Sequence, residues 1–97
     1  MKHEPLSLES PSLAGGKVVL QPGEEVGEHI TENREEVIIV LKGNATLVKA
    51  NERIELSEGE THFIKEGIKH NVKNLSKEPV EYVYVVRFNK FPLRSDT

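Results

Sequence analysis

No cysteine occurs in this chain of 97 residues, which excludes disulfides, thiolate metal ligands and thiol nucleophiles. Any metal must be held by His, Glu, Asp or other oxygen groups. The missing thiols suit a reducing compartment, and a cytoplasmic location is expected. Long apolar runs are missing as well: Val37 to Leu41 spans five residues, against the ~20 a membrane-crossing helix needs. The N-terminal stretch MKHEPLSLESPSLAGG carries charges and prolines where a signal peptide needs continuous apolar residues. A soluble protein with no membrane partner is expected. Strong net charge is also lacking. Thirteen Lys plus Arg against sixteen Asp plus Glu leave -3, with both signs dispersed, which argues against nucleic acid as a partner. Aspartate is scarce, since fifteen of the sixteen acids are glutamate, and Met1 and Gln21 are the only Met and Gln. With nine lysines to four arginines, the bias resembles thermophile usage.

What is present is a series of short β-branched and apolar runs, punctuated by Gly, Pro and Asn about every ten residues. Punctuation falls at Gly15-Gly16, Pro22-Gly23, Glu32-Asn33, Gly43-Asn44, Ala50-Asn51-Glu52, Glu58-Gly59, Glu66-Gly67, Asn74 and Glu78-Pro79. Strands are predicted at Lys17 to Leu20, Val26 to Ile30, Glu36 to Leu41, Ala45 to Val48, Arg53 to Leu56, Thr61 to Ile64, His70 to Lys73 and Val80 to Phe88, with a further one near Leu6 to Leu8. No window sustains the three-and-four spacing of an amphipathic helix. The fold class is all-β, a sandwich or barrel. At this length roughly 60 to 65% of the unfolded chain's surface is buried without staples, so one core is expected.

Side chains alternate across a strand. In Glu36 to Leu41 both sets, Ile38 and Val40 against Val37, Ile39 and Leu41, are apolar, so both faces are expected to be covered. In Glu81 to Phe88 one face carries Tyr82, Tyr84, Val86 and Phe88, and the other Glu81, Val83, Val85 and Arg87. Nothing local decides which is inward.

The stretch GEHITENREEVIIVLKG, residues 27 to 43, sets ionisable groups at the mouth of such a strand. A carboxylate there is costly unless paired, hydrogen-bonded or metal-bound. His29 and Thr31 lie two apart and project to one face. Glu36 follows a short turn, and antiparallel pairing is expected to bring it near them; His70 opens a later strand. Two imidazoles and a carboxylate converging in a barrel form a 2-His-1-carboxylate site with open positions, suited to iron, zinc, nickel or manganese.

These residues resemble the cupin family. Gly23, five residues, His29, one residue, Thr31, then Glu36, six residues and Gly43 is similar to the first cupin motif. Gly59, five residues, Lys65, Gly67, two residues, His70, three residues and Asn74 is similar to the second. Thr31 stands where a second histidine is usual, and Lys65 where a proline is usual. The resemblance implies a jelly-roll barrel, the cupin double-stranded β-helix, over residues 17–88, with an N-terminal arm of 1–16 able to supply an exchanged strand and a C-terminal tail of 89–97. It implies His29, Glu36 and His70 as ligands of one divalent transition metal. Thr31 is a poor ligand, leaving a place for water or substrate.

Around that centre the candidate ligand-binding residues are Thr31, Tyr82, Tyr84 and His62. Thr31 is otherwise a β-branched barrel residue, the tyrosines packing residues with wet hydroxyls, and His62 points either inward or outward. Glu35 competes with Glu36, but the distance to Gly43 favours Glu36. The expected function is a metal-binding barrel holding a small polar organic ligand. The resemblance brings dioxygenase, isomerase and decarboxylase chemistries without selecting one, and no catalytic residue stands out. The alternative is a non-enzymatic module that binds or senses a sugar or organic acid. The apolar set Val37, Ile39 and Leu41, with the FPLR segment Phe91 to Arg94, points to a homodimer.

Overall fold

The computed structural model describes residues 1–88; the FPLR segment lies outside the described residues. They form nine strands: β1 (Lys2–Pro5), β2 (Leu13–Leu20), β3 (His29–Ile30), β4 (Arg34–Lys42), β5 (Ala45–Lys49), β6 (Glu52–Leu56), β7 (Thr61–Ile64), β8 (Lys69–Lys73) and β9 (Val80–Phe88). Among the described residues no helix is long and apolar enough to cross a membrane. The strands make two antiparallel sheets, ordered β1-β2-β9-β4-β7 and β3-β8-β5-β6. The all-β expectation and the double-stranded β-helix hold.

Alternation builds the core. On β4, Glu36, Ile38 and Val40 are buried while Val37 and Ile39 between them are half-covered. From the same sheet Val18, Leu20, Val80 and Tyr82 turn inward, and they meet Ala45, Leu47, Leu56 and Val72 of the other sheet. Ile38, Val40, Leu20, Leu47, Ile64 and Val80 are fully buried, each removal of such a side chain from water contributing ~1.5–3 kcal/mol. The set Tyr82, Tyr84 and Val86 on β9 faces the interior, because Tyr82 pairs with Val40 and Tyr84 with Ile38, both inward residues. Ile39 and Val37 lie half-covered on the outer face and Leu41 at the end of that set is exposed; β1, the N-terminal strand, pairs with β2 at the edge of the same sheet.

Several local expectations are corrected by long-range pairing. Gly15-Gly16, which reads as a turn, lies inside the β2–β9 ladder opposite Val85 and Tyr84. A Cβ on Gly16 would run into the His3 imidazole and the Tyr84 ring, so glycine here permits close approach rather than a reversal. The N-terminal strand is Lys2–Pro5 rather than Leu6 to Leu8: the Leu6 N–H still bonds the Gly15 carbonyl, but the Leu8 N–H turns back onto Leu6. Val26 to Ile30 shortens to His29–Ile30, since Gly27 takes a φ of 113° that breaks the extended run. Gly43, φ 80°, joins β4 to β5 across the two sheets, where a Cβ would sit 2.5 Å from the Pro79 carbonyl oxygen.

The end of the sandwich where β2 finishes and β9 begins is held by Asn74. Fully buried, its Nδ2 donates to the Leu20 and Glu78 carbonyls, and its Oδ1 accepts from the Ser76 N–H and hydroxyl. This one side chain ties β2 to the turn between β8 and β9.

Candidate metal centre

His29 and His70 are directly paired residues on β3 and β8. Side chains so placed approach closely on one face, and the two ring centroids are 4.2 Å apart at an interplanar angle of 63°. Glu36 reaches them from the other sheet. The sequence predicts its arrival along a hairpin from His29, but β3 and β4 belong to different sheets and β4 pairs with β9 and β7. The two-residue turn Glu32-Asn33, with Asn33 at φ 58°, carries the chain from one sheet to the other, so Glu36 faces the histidines across the sandwich. One ligand atom from each of His29, Glu36 and His70 lies within 4.8 Å of the other two.

The imidazoles are oriented by the backbone. His29 Nδ1 donates to the Gly27 carbonyl at 2.9 Å, and His70 Nδ1 donates to the Ile68 carbonyl at 2.9 Å. A carbonyl accepts only, so each Nδ1 carries the proton and each neutral ring keeps its lone pair on Nε2. Such outer contacts set tautomer and ring direction for metal-binding histidines. His70 Nε2 lies 3.4 Å from Glu36 Oε1, an ion-pair separation without the alignment of a hydrogen bond. His70 Nε2 and Thr31 Oγ1 are the two buried side-chain polar atoms with no hydrogen-bond partner among the described residues. Buried polar atoms are ordinarily satisfied, so both carry unmet hydrogen-bonding capacity. Three nitrogen and oxygen donors with an open side fit a divalent transition metal.

Burial pulls the His70 imidazole pKa down, but the Glu36 carboxylate beside it and the Ile68 carbonyl outweigh burial and raise it above the ordinary histidine value. A metal held by His70 would require its imidazole to be neutral, and so would compete with that protonation. Tyr82 is pushed well above the usual phenol range, first by burial and then by the charge of Glu36. Tyr84 is raised for the same two reasons, with Arg34 opposing. Both phenols therefore stay protonated as donors.

Beside the centre a cavity of about 320 Å³ opens, at the small end of ligand pockets. His29, Glu36, Thr31, Tyr82 and Tyr84 all line it. Its apolar wall comes from Val18, Val26, Val86 and Phe88. His62 is the exception among the candidates. It sits on β7, on the flank of β4 away from the cavity formed over β2, β9 and β4, and its Nε2 accepts from Lys49 Nζ at 2.8 Å. Burial and then the neighbouring Lys49 lower its pKa. Glu35 points the other way, to Arg87 at 3.2 Å, as its alternation with Glu36 requires.

Two cavity residues escape the sequence reading. Arg34 lies two before Glu36 and so shares its inward face, a parity signal that is readable. His3 comes from β1, hydrogen-bonded through Nε2 to the Tyr84 hydroxyl at 2.6 Å, and no local pattern foretells that contact.

Comparison with known proteins agrees with this architecture. Xanthan biosynthesis protein XanB of Xanthomonas campestris is 29% identical over 69 residues, covering 71% of this chain, which spans 15% of that protein's length. For the solved structure of TT1209 from Thermus thermophilus the TM-score is 0.83 at 25% identity, over 91% of this chain and 83% of that one. The Cnp3 cupin domain of Schizosaccharomyces pombe gives 0.82 at 21% identity, over 89% of this chain and 63% of that chain. The family model of the cupin domain matches residues 16–86, and on that match the protein belongs to the cupin family.

Proposed function

We propose that this barrel holds one divalent transition metal ion on His29, Glu36 and His70, with a small polar organic ligand beside it. The observation that carries the reading is the pair of Nδ1-anchored imidazoles meeting Glu36, with His70 Nε2 left unsatisfied at their meeting point. Leaving the buried His70 and Glu36 uncomplexed is costly, while His29 closes the group from the exposed side. When bound, the ion supplies Lewis acidity and, if it is iron, oxygen activation. The protein's own part is to fix the ring directions, to exclude water with Val18, Val26 and Val86, and to present the protonated Tyr82 as a donor, with Tyr84 tied to His3. Thr31 leaves an open coordination position where an imidazole would close it.

Metal analysis of protein purified without an affinity tag tests this. Stoichiometric metal, and a melting temperature lowered by chelator, are expected; no metal together with unchanged melting overturns it. A ligand that binds but emerges chemically unchanged after incubation with metal and oxygen would favour the second reading, a binding or sensing barrel. That reading is supported by Thr31, whose hydroxyl weakens the metal set. The proposal extends to a cytoplasmic homodimer, supported by the absent thiols and by the apolar outer face of β4.

A further inference from the structure

The wall of the cavity carries one lysine or arginine among the described residues, Arg34. It occupies the inward face of β4, and its guanidinium carbon lies 5.7 Å from the centroid of the Phe88 ring. A cation–π contact at this distance draws the guanidinium toward the Phe88 ring at the cavity wall. No carboxylate of the described residues forms an ion pair with it. At the other end of the Glu32-Asn33 turn, Thr31 lines the same cavity at 3% exposure, and its buried Oγ1 has no partner among the described residues. A buried hydroxyl without a partner destabilises the fold unless something supplies an oxygen or nitrogen to it. Of the other polar groups of the wall, Tyr84 meets His3, His29 Nδ1 donates to Gly27 and Glu36 lies beside His70, while the Tyr82 phenol also lines the cavity.

We infer that the small ligand is a carboxylic acid bound as its anion, the carboxylate gripped by Arg34 and met by the Thr31 hydroxyl, with its carbon portion against Val18, Val26 and Val86. A guanidinium fork matches a planar carboxylate with two parallel hydrogen bonds. A single fork in a half-apolar cavity of about 320 Å³ suits one such group better than a phosphate, which calls for more donors. The inference deepens the metal-barrel reading and rests on it only for placing the acid beside the ion. Recognition by Arg34 needs no metal.

The test is calorimetric titration of the protein, metal-free and loaded with Zn²⁺, using lactate, succinate and benzoate, each paired with its amide, and inorganic phosphate. At least one acid should bind at least tenfold more tightly than its amide. Arg34→Gln should weaken that acid tenfold or more, leave the amide unchanged, and take up Zn²⁺ as the wild type does. No acid binding, equal binding of acid and amide, or preference for phosphate over every acid overturns the inference. If Arg34→Gln does not fold, the acid and amide comparison on the wild type decides alone. Failure to take up Zn²⁺ with acid preference intact would sink the metal reading and leave this one standing.

Discussion

His29 and His70 face one another across β3 and β8, and each donates its Nδ1–H to the carbonyl two residues before it, Gly27 for one and Ile68 for the other. The repeated contact leaves Nε2 as the free nitrogen of each ring, and one ligand atom of each histidine lies within 4.8 Å of one from Glu36. A site prepared in this way has its ring orientation set before any ion arrives, which lowers the ordering cost of binding.

Replacing either His29 or His70 by Ala should lower metal affinity by at least tenfold, since each removes one of three strong donors. Thr31→His should do the reverse, raising affinity at least tenfold by adding a fourth donor at the open position. Competition against a chromophoric chelator measures all three. A Thr31→His protein with unchanged affinity would show that this position does not converge on the centre.

The metal-free protein should be most stable near pH 6.5, the ordinary histidine value. His70 has a raised folded pKa, so its contribution is complete below about 6.5 and is lost as pH rises through the raised value. His62 has a lowered folded pKa, so its contribution is complete above about 6.5 and is lost as pH falls toward the lowered value. Thermal melts across pH should show both limbs, the alkaline one flattened in His70→Gln and the acid one in His62→Gln. Metal loading should invert the alkaline limb, because coordination requires the neutral imidazole.

Asn74→Ala removes two donated and two accepted hydrogen bonds from a fully buried site. A loss of about 2–3 kcal/mol is expected, which for a chain of this size lowers melting by about 10 to 20 °C. Urea denaturation should give the same loss with an unchanged m-value.

Gly43 and Gly59 share nearly the same φ, 80° and 83°, but a Cβ on Gly43 meets the Pro79 carbonyl whereas one on Gly59 meets nothing within 4 Å. Gly59→Ala should therefore cost only the left-handed strain of ~1–2 kcal/mol. Gly43→Ala should cost more than that, through displacement of the β9 entry. Equal losses in chemical denaturation would contradict the steric part.

The outer groove is floored by the apolar Leu13, Val37, Phe63 and Val85 and edged by Glu35 and Arg87, and Phe63 is 54% exposed. Sedimentation should give a dimer at micromolar concentration, and Phe63→Glu should shift it to monomer. A wild-type monomer would contradict the proposed homodimer.

Legible in the sequence by itself were most of the strands, because alternation and turn glycines are local signals, and the trio His29, Glu36 and His70 through the resemblance of their spacing from Gly23, Gly43 and Gly59 to the cupin motifs. Local reading fails where both faces of a strand look alike. On β9 a tyrosine face and a valine face are equally plausible linings, and only pairing of Tyr82 with Val40 and Tyr84 with Ile38 turns the tyrosines inward. Gly15-Gly16 reads as a turn until Tyr84 and His3 are laid over it. Tertiary structure alone decided that Glu36 meets the histidines across two sheets, that His62 turns to Lys49 away from the cavity, and that Arg34 and Thr31 share one wall. Each of these is a contact between residues distant along the chain or in different sheets, set by how the whole apolar surface is buried at once, and no window of the sequence contains that condition.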